Sequence, residues 1–551
     1  MRIKSGLWII LMVIFSTMLL AQSTEPAFTD ITEDSGITFQ YNFGDYTYEN
    51  ILESSGSGVT VLDFNNDGWM DLYMLNGTYL KGISDEDGKV FENTPNHLYR
   101  NNGDGTFTEV AESAGVDDRH WSMAAGAHDY DGDGDTDIYL LNYGPNVFYR
   151  NNGDGTFTNI ADKIGLIGPN TLNGFIKWSV GVAFWDFNQD ERVDMMVGNF
   201  LAFDPEYVSP TTPDLMPHPS EYKGQASMMY MQQPDGTFRE VTADLNMFYP
   251  DSKCMGLTVF DFDDDGDLDL FQGNDHQLNF LFRNDGDLDF TEIAVAAGVA
   301  VNDEGSPTGS MHGTIGDIDG DGKIDLLVTD LKYGAMYRNL GDGVFEDVTR
   351  KSGIAHNFSG KGQWGAALFD YNNDGDLDIF VANGTAEELI LQKPLLLDNN
   401  GKGFFKDIGA ELHPYFNTKR SGRAAATWDF DNDGDLDLVV SHIDLLAKPV
   451  LLRNDVGNKN NWLGLTLKGN KGSASGIGAR VTLYSENDVQ VKINQWATSY
   501  LSYNDPRILF GLGKDTKIRK LHVRWPDGSE EFIENIDINQ YITIVQGKGL
   551  N

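Results

Sequence analysis

Along most of the chain one pattern of apolar and polar positions recurs. Segments of small and apolar residues such as "GVTVLDF", "SMAAGAHDY" and "GAALFDY" run into a cluster of aspartates, and apolar runs such as "MDLYML", "LDLFQG" and "LDIFVAN" leave it. Both have the length and composition of strands. A third strand and a turn follow in "HLYRNNGDGTFTEVA" from His97, "VFYRNNGDGTFTNIA" from Val147, "FLFRNDGDLDFTEIA" from Phe280 and "AMYRNLGDGVFEDVT" from Ala335. The Gly-Asp-Gly element supplies the positive backbone angles of a tight hairpin. Asp104, Asp154 and Asp342 therefore read as turn formers. Each unit predicts a four-stranded antiparallel blade, with the aspartate cluster joining its first two strands.

Seven such clusters start at Asp63, Asp129, Asp186, Asp261, Asp317, Asp370 and Asp429, spaced 66, 57, 75, 56, 53 and 59 residues apart. Recurrence on this scale marks a repeat architecture. The closing strands form a second series, shifted by one. "FTDIT" at Phe28 precedes every cluster, while the cluster at Asp429 has no closing strand after it. A ring resolves the mismatch, because the strand near residues 28–32 then completes the last blade and no edge is left open. The expected fold is all-β: a seven-bladed propeller over residues 22–456. From 457 to 551 the repeats give way to "NWLGLTLKG", "GARVTLYS", "VQVKINQW", "KLHVRWPDG" and "YITIVQG". These alternate apolar and polar residues and predict a separate small sandwich or barrel.

The charge makes chemistry of the clusters. The net charge is -44, and 29 of the 84 acidic residues stand at alternate positions of the seven loops. Like charges so close repel unless something positive lies among them. Counted from the first aspartate, positions one, three, five and nine are oxygen donors throughout. They are Asp63, Asn65, Asp67 and Asp71; Asp129, Asp131, Asp133 and Asp137; Asp186, Asn188, Asp190 and Asp194; Asp261, Asp263, Asp265 and Asp269. The series continues with Asp317, Asp319, Asp321 and Asp325; Asp370, Asn372, Asp374 and Asp378; Asp429, Asp431, Asp433 and Asp437. Position six is Gly in six loops. Position seven varies (Trp69, Asp135, Arg192, Asp267, Lys323, Asp376, Asp435), as suits a ligand that is a backbone carbonyl. The pattern is similar to the start of an EF-hand loop, without its Glu at position twelve and with strands in place of helices. Hard oxygen donors with no Cys or His cluster favour Ca²⁺ over Zn²⁺. The expectation is up to seven Ca²⁺ ions, weakest at Asp186, where Glu191 replaces the Gly and Arg192 adds a competing cation. The same acidity disfavours nucleic acid and anionic membranes as partners.

Arg2 and Lys4 precede an apolar run from Leu7 to Leu20, with Ala21 after it. This reads as an export signal over residues 1–21, the run being short for a membrane span. Cys254 is the one cysteine, so no internal disulfide forms and cations are the candidate cross-links.

The loops and blades resemble FG-GAP/VCBS repeats and are similar to the propeller of integrin α subunits. "GIGARVTLY", "SYLSYNDPRILFGLG" and "VRWPDGS" resemble the ASPIC/UnbV domain. Together they resemble the cartilage acidic protein family, without the cysteine-rich EGF-like module of animal members. The resemblance implies a secreted, calcium-binding protein of adhesive or matrix-associated type. It does not fix a ligand.

Long connections at 76–96 and at 199–227, the second with five prolines, lie on the face opposite the aspartate loops. Long loops on a rigid scaffold are where binding usually resides. Near that face the sequence also places His120, Trp121, Lys177, Trp178, Lys253, Gln363, Trp364, Arg420 and Arg423. They read either as a rim for an anionic glycan, with aromatics stacking on sugar faces, or as residues that fill the channel mouth or pack between blades; the ligand expected overall is an extracellular glycan or protein. A calcium-assisted polysaccharide lyase is the enzymatic alternative, although no nucleophile and base stand at a catalytic spacing.

Overall fold

A computed structural model describes residues 26–84, 90–213, 215–386, 388–469 and 475–550. The export-signal expectation lies outside these residues. No helix among them is long and apolar enough to cross a membrane.

Seven four-stranded antiparallel blades make up the propeller. The first contains Val59–Leu62, Asp71–Met74, His97–Asn101 and Phe107–Glu109, and its plan is followed by the next five. The last contains Gly422–Trp428, Asp437–His442 and Val450–Asn454, and takes its outer strand from Phe28–Asp30, in the register Phe28↔Asn454. Each innermost strand packs against the next, and Gly422–Trp428 packs against Val59–Leu62 to close the ring. Inner strands are rich in Ala and Gly because they crowd the axis. A Cβ on Gly365 would lie 2.6 Å from the Arg423 carbonyl of the next blade.

The apolar faces of neighbouring blades form the core, and one polar residue recurs among them. The third strand ends in Asn101, Asn151, Asn284, Asn339, Asn399 and Asn454, with Gln232 in the third blade. Asn151 is buried; its Nδ2 donates to Thr136 O at 3.1 Å and to Phe64 O, in the preceding blade, at 2.8 Å. Its Oδ1 accepts from the turn amide of Gly153 at 3.0 Å. Asn101 makes the corresponding bond back to Phe430 O at 2.7 Å, so the series runs round the whole ring.

The C-terminal domain is a sandwich of two four-stranded sheets. One has the order Ile508–Gly513, Asn461–Lys468, Tyr541–Val545, Gly549–Leu550. The other has the order Val489–Ile493, Arg480–Ser485, Ile518–Arg524, Glu530–Ile533. Leu465, Leu483, Phe510, Leu521 and Trp525 lie in its core.

The connection from Gln495 to Asp505 leaves this sandwich and enters the axis of the propeller. Ser502–Tyr503 pairs in parallel with Val59–Thr60 of the first blade. Tyr503 Oη donates to Val182 O (3.0 Å), Gln495 Nε2 to Val259 O (2.8 Å) and Thr314 Oγ1 to Thr498 O (2.6 Å). Trp496 meets the His128 ring, Tyr500 meets Trp364, and Ser502 Oγ accepts from the amide of Ala425. Every blade is touched. The channel is a packed core built by the second domain.

Replacing Asn151 with Ala removes two donors and strands the Phe64 carbonyl in a buried site, which costs about 1–3 kcal/mol. Asn151→Asp should cost more, since a carboxylate cannot donate to either carbonyl. Urea denaturation of both variants checks this, and an Ala variant within about 0.5 kcal/mol of the parent would contradict it.

Candidate metal centres

All seven aspartate loops are built alike. Position four has positive φ in each, at Asn66, Gly132, Gln189, Asp264, Gly320, Asn373 and Asn432, and so does position six. Six loops meet the second requirement with Gly, at φ from 84 to 105°, whereas Glu191 adopts φ 64° at a cost that Gly avoids. The two left-handed turns curl the loop round its first aspartate. In the first loop the amides of Asp67 and Gly68 donate to the Asp63 carboxylate at 3.2 and 2.9 Å, and Trp69 N donates to Asp67 Oδ1 at 2.9 Å. Position nine ties the loop to its blade. Asp71 Oδ2 accepts from Phe64 N at 3.1 Å, and Oδ1 accepts from Asn101 N at 2.8 Å.

Carboxylate oxygens of Asp129, Asp131 and Asp137 lie within 4.8 Å of one another. The same holds for Asp261, Asp263 and Asp265, for Asp317, Asp319 and Asp325, and for Asp429, Asp431 and Asp437. In the other three loops position three is Asn65, Asn188 or Asn372, whose amide donates to the position-five carboxylate. Asp194 Oδ2, Asp261 Oδ1, Asp263 Oδ1, Asp431 Oδ1 and Asp435 Oδ1 are buried without a hydrogen-bond partner. Such oxygens are costly unless a cation is their partner. Burial pushes the position-nine carboxyls up, Asp71, Asp137 and Asp325 to about 8 and Asp194 to about 9. Asp269, Asp378 and Asp437 also rise well above the usual carboxylate range, for the same reason. These clusters can hold metal ions.

At position seven the side chains of several loops turn outward, whereas Asp435 is buried. Asp135 accepts from Asn66 of the preceding loop at 2.7 Å and Asp267 accepts from Gln189 at 2.6 Å, while Lys323 donates to Asp321. In the third loop Arg192 pairs with Asp190, the position-five donor, and also donates to Gln232 O.

The C-terminal domain covers the face that carries these loops, an arrangement the sequence analysis did not foresee. Arg524 Nη2 donates to Asp261 Oδ2 at 2.7 Å, and Tyr541 Oη donates to Asp429 Oδ2 at 2.6 Å. Arg507 reaches Asp429 O and Asn432 Oδ1, Trp462 lies on Gly434, and the Lys492 charge helps hold Asp370 down against the effect of burial. The one signal for this was "WATSYLSYND", a stretch too aromatic for a surface turn.

The cationic and aromatic rim is corrected by burial. Trp121, Lys177, Trp178, Lys253, Gln363, Trp364 and Arg423 are all buried. Trp178 packs among Tyr143, Phe200 and Phe203, and Lys253 Nζ is held by Pro219 O at 2.9 Å. Arg423 lies 4.0 Å over the Trp364 ring and donates to Ser54 O and Thr385 O. Burial brings the Lys177 amine down to about 7. Only His120, exposed and paired with Asp118, and the half-buried Arg420 reach solvent. These residues fill spaces between and above the blades because open backbone carbonyls and aromatic faces there need partners.

A ring of aspartate-loop blades closed by a plugging β domain defines an FG-GAP-type propeller. The FG-GAP-like repeat model matches residues 82–140, 129–197, 261–328 and 317–381, and the ASPIC and UnbV model matches 469–551. The chain carries FG-GAP repeats and a C-terminal ASPIC and UnbV domain, and is homologous to cartilage acidic protein 1. The human protein of that name is 24% identical over 494 residues, covering 86% of this chain and 60% of that one. That of Xenopus tropicalis is 30% identical over 273 residues, covering 47% and 40%. That of Mus musculus is 29% identical over 282 residues, also covering 47% and 40%. The chain thus spans between 40 and 60% of the length of these relatives. Among solved structures, an Agrocybe aegerita lectin that recognises non-reducing terminal N-acetylglucosamine aligns over 66% of this chain and 90% of its own, at 18% identity and TM-score 0.36. That superposition is too loose to speak to function.

Two outcomes are expected at these sites. If the clusters hold calcium, Asp265→Ala should release one ion and destabilise more than Asp190→Ala, because Asp190 is already engaged by Arg192. Equilibrium dialysis with denaturation measures both, and equal losses would contradict the ranking. Metal-free protein should also lose stability as pH rises from 6 to 9. Buried aspartates with folded pKa near 8 to 9 bind more protons folded than unfolded, so raising the pH through that range favours unfolding. Melting curves in chelator against pH check this, and calcium should flatten the dependence.

Proposed function

We propose that the protein is an exported, calcium-loaded binding module of matrix or adhesion type, and that its partner, a glycan or protein, meets the face opposite the C-terminal domain. The buried carboxylate oxygens without partners carry the metal part of this reading. Asp63, Asn65, Asp67 and Asp71, and their counterparts in the other loops, would hold the ion, with position seven offering its carbonyl. Oxygen-only donors in this number suit Ca²⁺. A bound ion would neutralise each cluster and fix its curl.

Supporting the choice of face, the plugged axis and the covering domain leave the other side of the ring open. Val208 and Leu215 of the proline-rich loop are each 61% exposed there, and Tyr333, Ile390 and Leu278 on neighbouring connections are exposed as well. These exposed apolar side chains, on connections of the third to sixth blades, support placing a partner on that face. The lyase alternative needs an accessible base; Lys177 and Lys253 are buried, which leaves the exposed His120, paired with Asp118.

Calcium that binds only the folded state stabilises it by mass action. With dissociation constants of about 10⁻⁴ to 10⁻³ M, 1 mM calcium contributes roughly 0.4–1.4 kcal/mol per site. Excess chelator should lower the melting temperature by several degrees, and an unchanged melting curve after verified metal removal would sink the calcium reading. For the partner, arrays of matrix glycans and proteins probed with calcium should give binding without turnover, lost in Val208→Asp/Tyr333→Ala. Binding retained in that variant would place the partner elsewhere, and release of unsaturated sugars would favour the lyase.

A further inference from the structure

We infer that the C-terminal domain is a calcium-linked lid: ions in the loops at Asp261 and Asp429 hold it down, and it holds those ions in. The inference rests on the calcium reading above. Asp261 is buried, and its two oxygens have different fates. Oδ2 accepts from Gly266 N at 3.2 Å and from Arg524 Nη2 at 2.7 Å, while Oδ1 has no hydrogen-bond partner. The neighbouring Asp263 Oδ1 is likewise buried and unpartnered. The loop at Asp429 repeats the arrangement. Asp429 Oδ2 accepts from Gly434 N at 2.9 Å and from Tyr541 Oη at 2.6 Å, and Asp431 Oδ1 and Asp435 Oδ1 are left unpartnered.

The domain therefore grips the outer oxygen of each first aspartate and leaves the interior donors for the ion. In the loop at Asp261 its donors leave the unpartnered oxygens alone, while in the loop at Asp429 Asn458 Nδ2 also donates to Asp433 Oδ2 at 2.6 Å. With the ion present, the loop is curled and its outer oxygen sits where Arg524 or Tyr541 needs it. Without the ion, the inner carboxylates repel, the curl relaxes and the grip is lost. Arg507, fixed on the backbone carbonyl of Asp429 and on Asn432, reads the same loop shape. The loop at Asp129 has a comparable cluster of Asp129, Asp131 and Asp137, and among the described residues no hydrogen bond joins its carboxylates to the domain. It supplies the internal control.

The linkage is reciprocal, since a domain that docks better on loaded loops must raise their calcium affinity by the same factor. In the full-length protein, Arg524→Gln/Tyr541→Phe replaces no ion-holding residue, yet should weaken two of the bound calcium ions by roughly tenfold, within the 5–150-fold usual for coupled sites. In the other direction, Asp263→Asn and Asp431→Asn touch no residue of the domain, yet should speed amide hydrogen exchange in Ser499–Asp505 and expose the domain to protease, while Asp131→Asn should not. Equilibrium dialysis counts the ions while exchange follows the plug. Calcium affinity unchanged in the double variant, or equal loosening by Asp131→Asn, overturns the lid. Loss of calcium in Asp263→Asn and Asp431→Asn with the plug still protected overturns it and leaves the calcium reading intact, and absence of any calcium binding overturns both.

Discussion

In six of the seven blades a buried aspartate accepts two backbone hydrogen bonds (in the third, Asp194 accepts one, from Gln232 N), and the rest of the propeller is arranged around it. Asp71 joins the amide of Phe64, within its loop, to that of Asn101, at the end of the third strand. The same asparagine then donates its side-chain amide to the carbonyl of Phe430 in the neighbouring blade. Loop curl, strand pairing and blade-to-blade contact thus meet at one carboxylate. Seven such carboxylates cannot be buried without raising their pKa values or supplying positive charge. The left-handed turns, the converging donors and the acidity of the chain follow from that constraint.

Much of this architecture was legible because it is local and repeated. Strand, loop, strand and Gly-Asp-Gly turn recur within some 50 residues, so the blade plan could be read from any one copy, and the one-residue-class exception at Glu191 stood out against the other loops. Pairing of Phe28–Asp30 with Val450–Asn454 was legible for a different reason: a count of closing strands leaves one place without an occupant. What escaped was contact with no period. Arg524 and Asp261 are 263 residues apart, and nothing in "HVRWPDG" marks its arginine for a carboxylate of the fourth blade. The asparagine of "YRNN" and "FRND" was visible in every copy, but its partner lies in the preceding blade, and only three dimensions reveal it.

The rim residues, for which the sequence leaves two readings open, are instructive in the same terms. Trp121, Trp178, Trp364 and Arg423 stand just outside or at the start of inner strands, where composition alone does not separate an open rim from a packed seam. The deciding fact is that several inner strands, such as Ser122–His128 and Gly422–Trp428, are rich in Ala and Gly. Such strands leave space beyond their ends that large side chains fill, and the indole of Trp364 becomes a platform for Arg423 and Tyr500 together. An arginine surrounded by carbonyls and rings rather than carboxylates is a structural pin, and it ties the sixth and seventh blades to the residues ahead of the first.

The covering domain also shapes what the ring presents to solvent. A propeller with an open axis offers a funnel at its mouth. Here the axis is occupied by a segment that bonds to, or packs on, the inner strand of every blade. The remaining surface on the far side is broad, made of connections between rigid strands, and carries exposed apolar side chains from several blades. The two faces are thus unlike: one carries the aspartate loops and the domain that covers them, and the other presents the connections between strands to solvent.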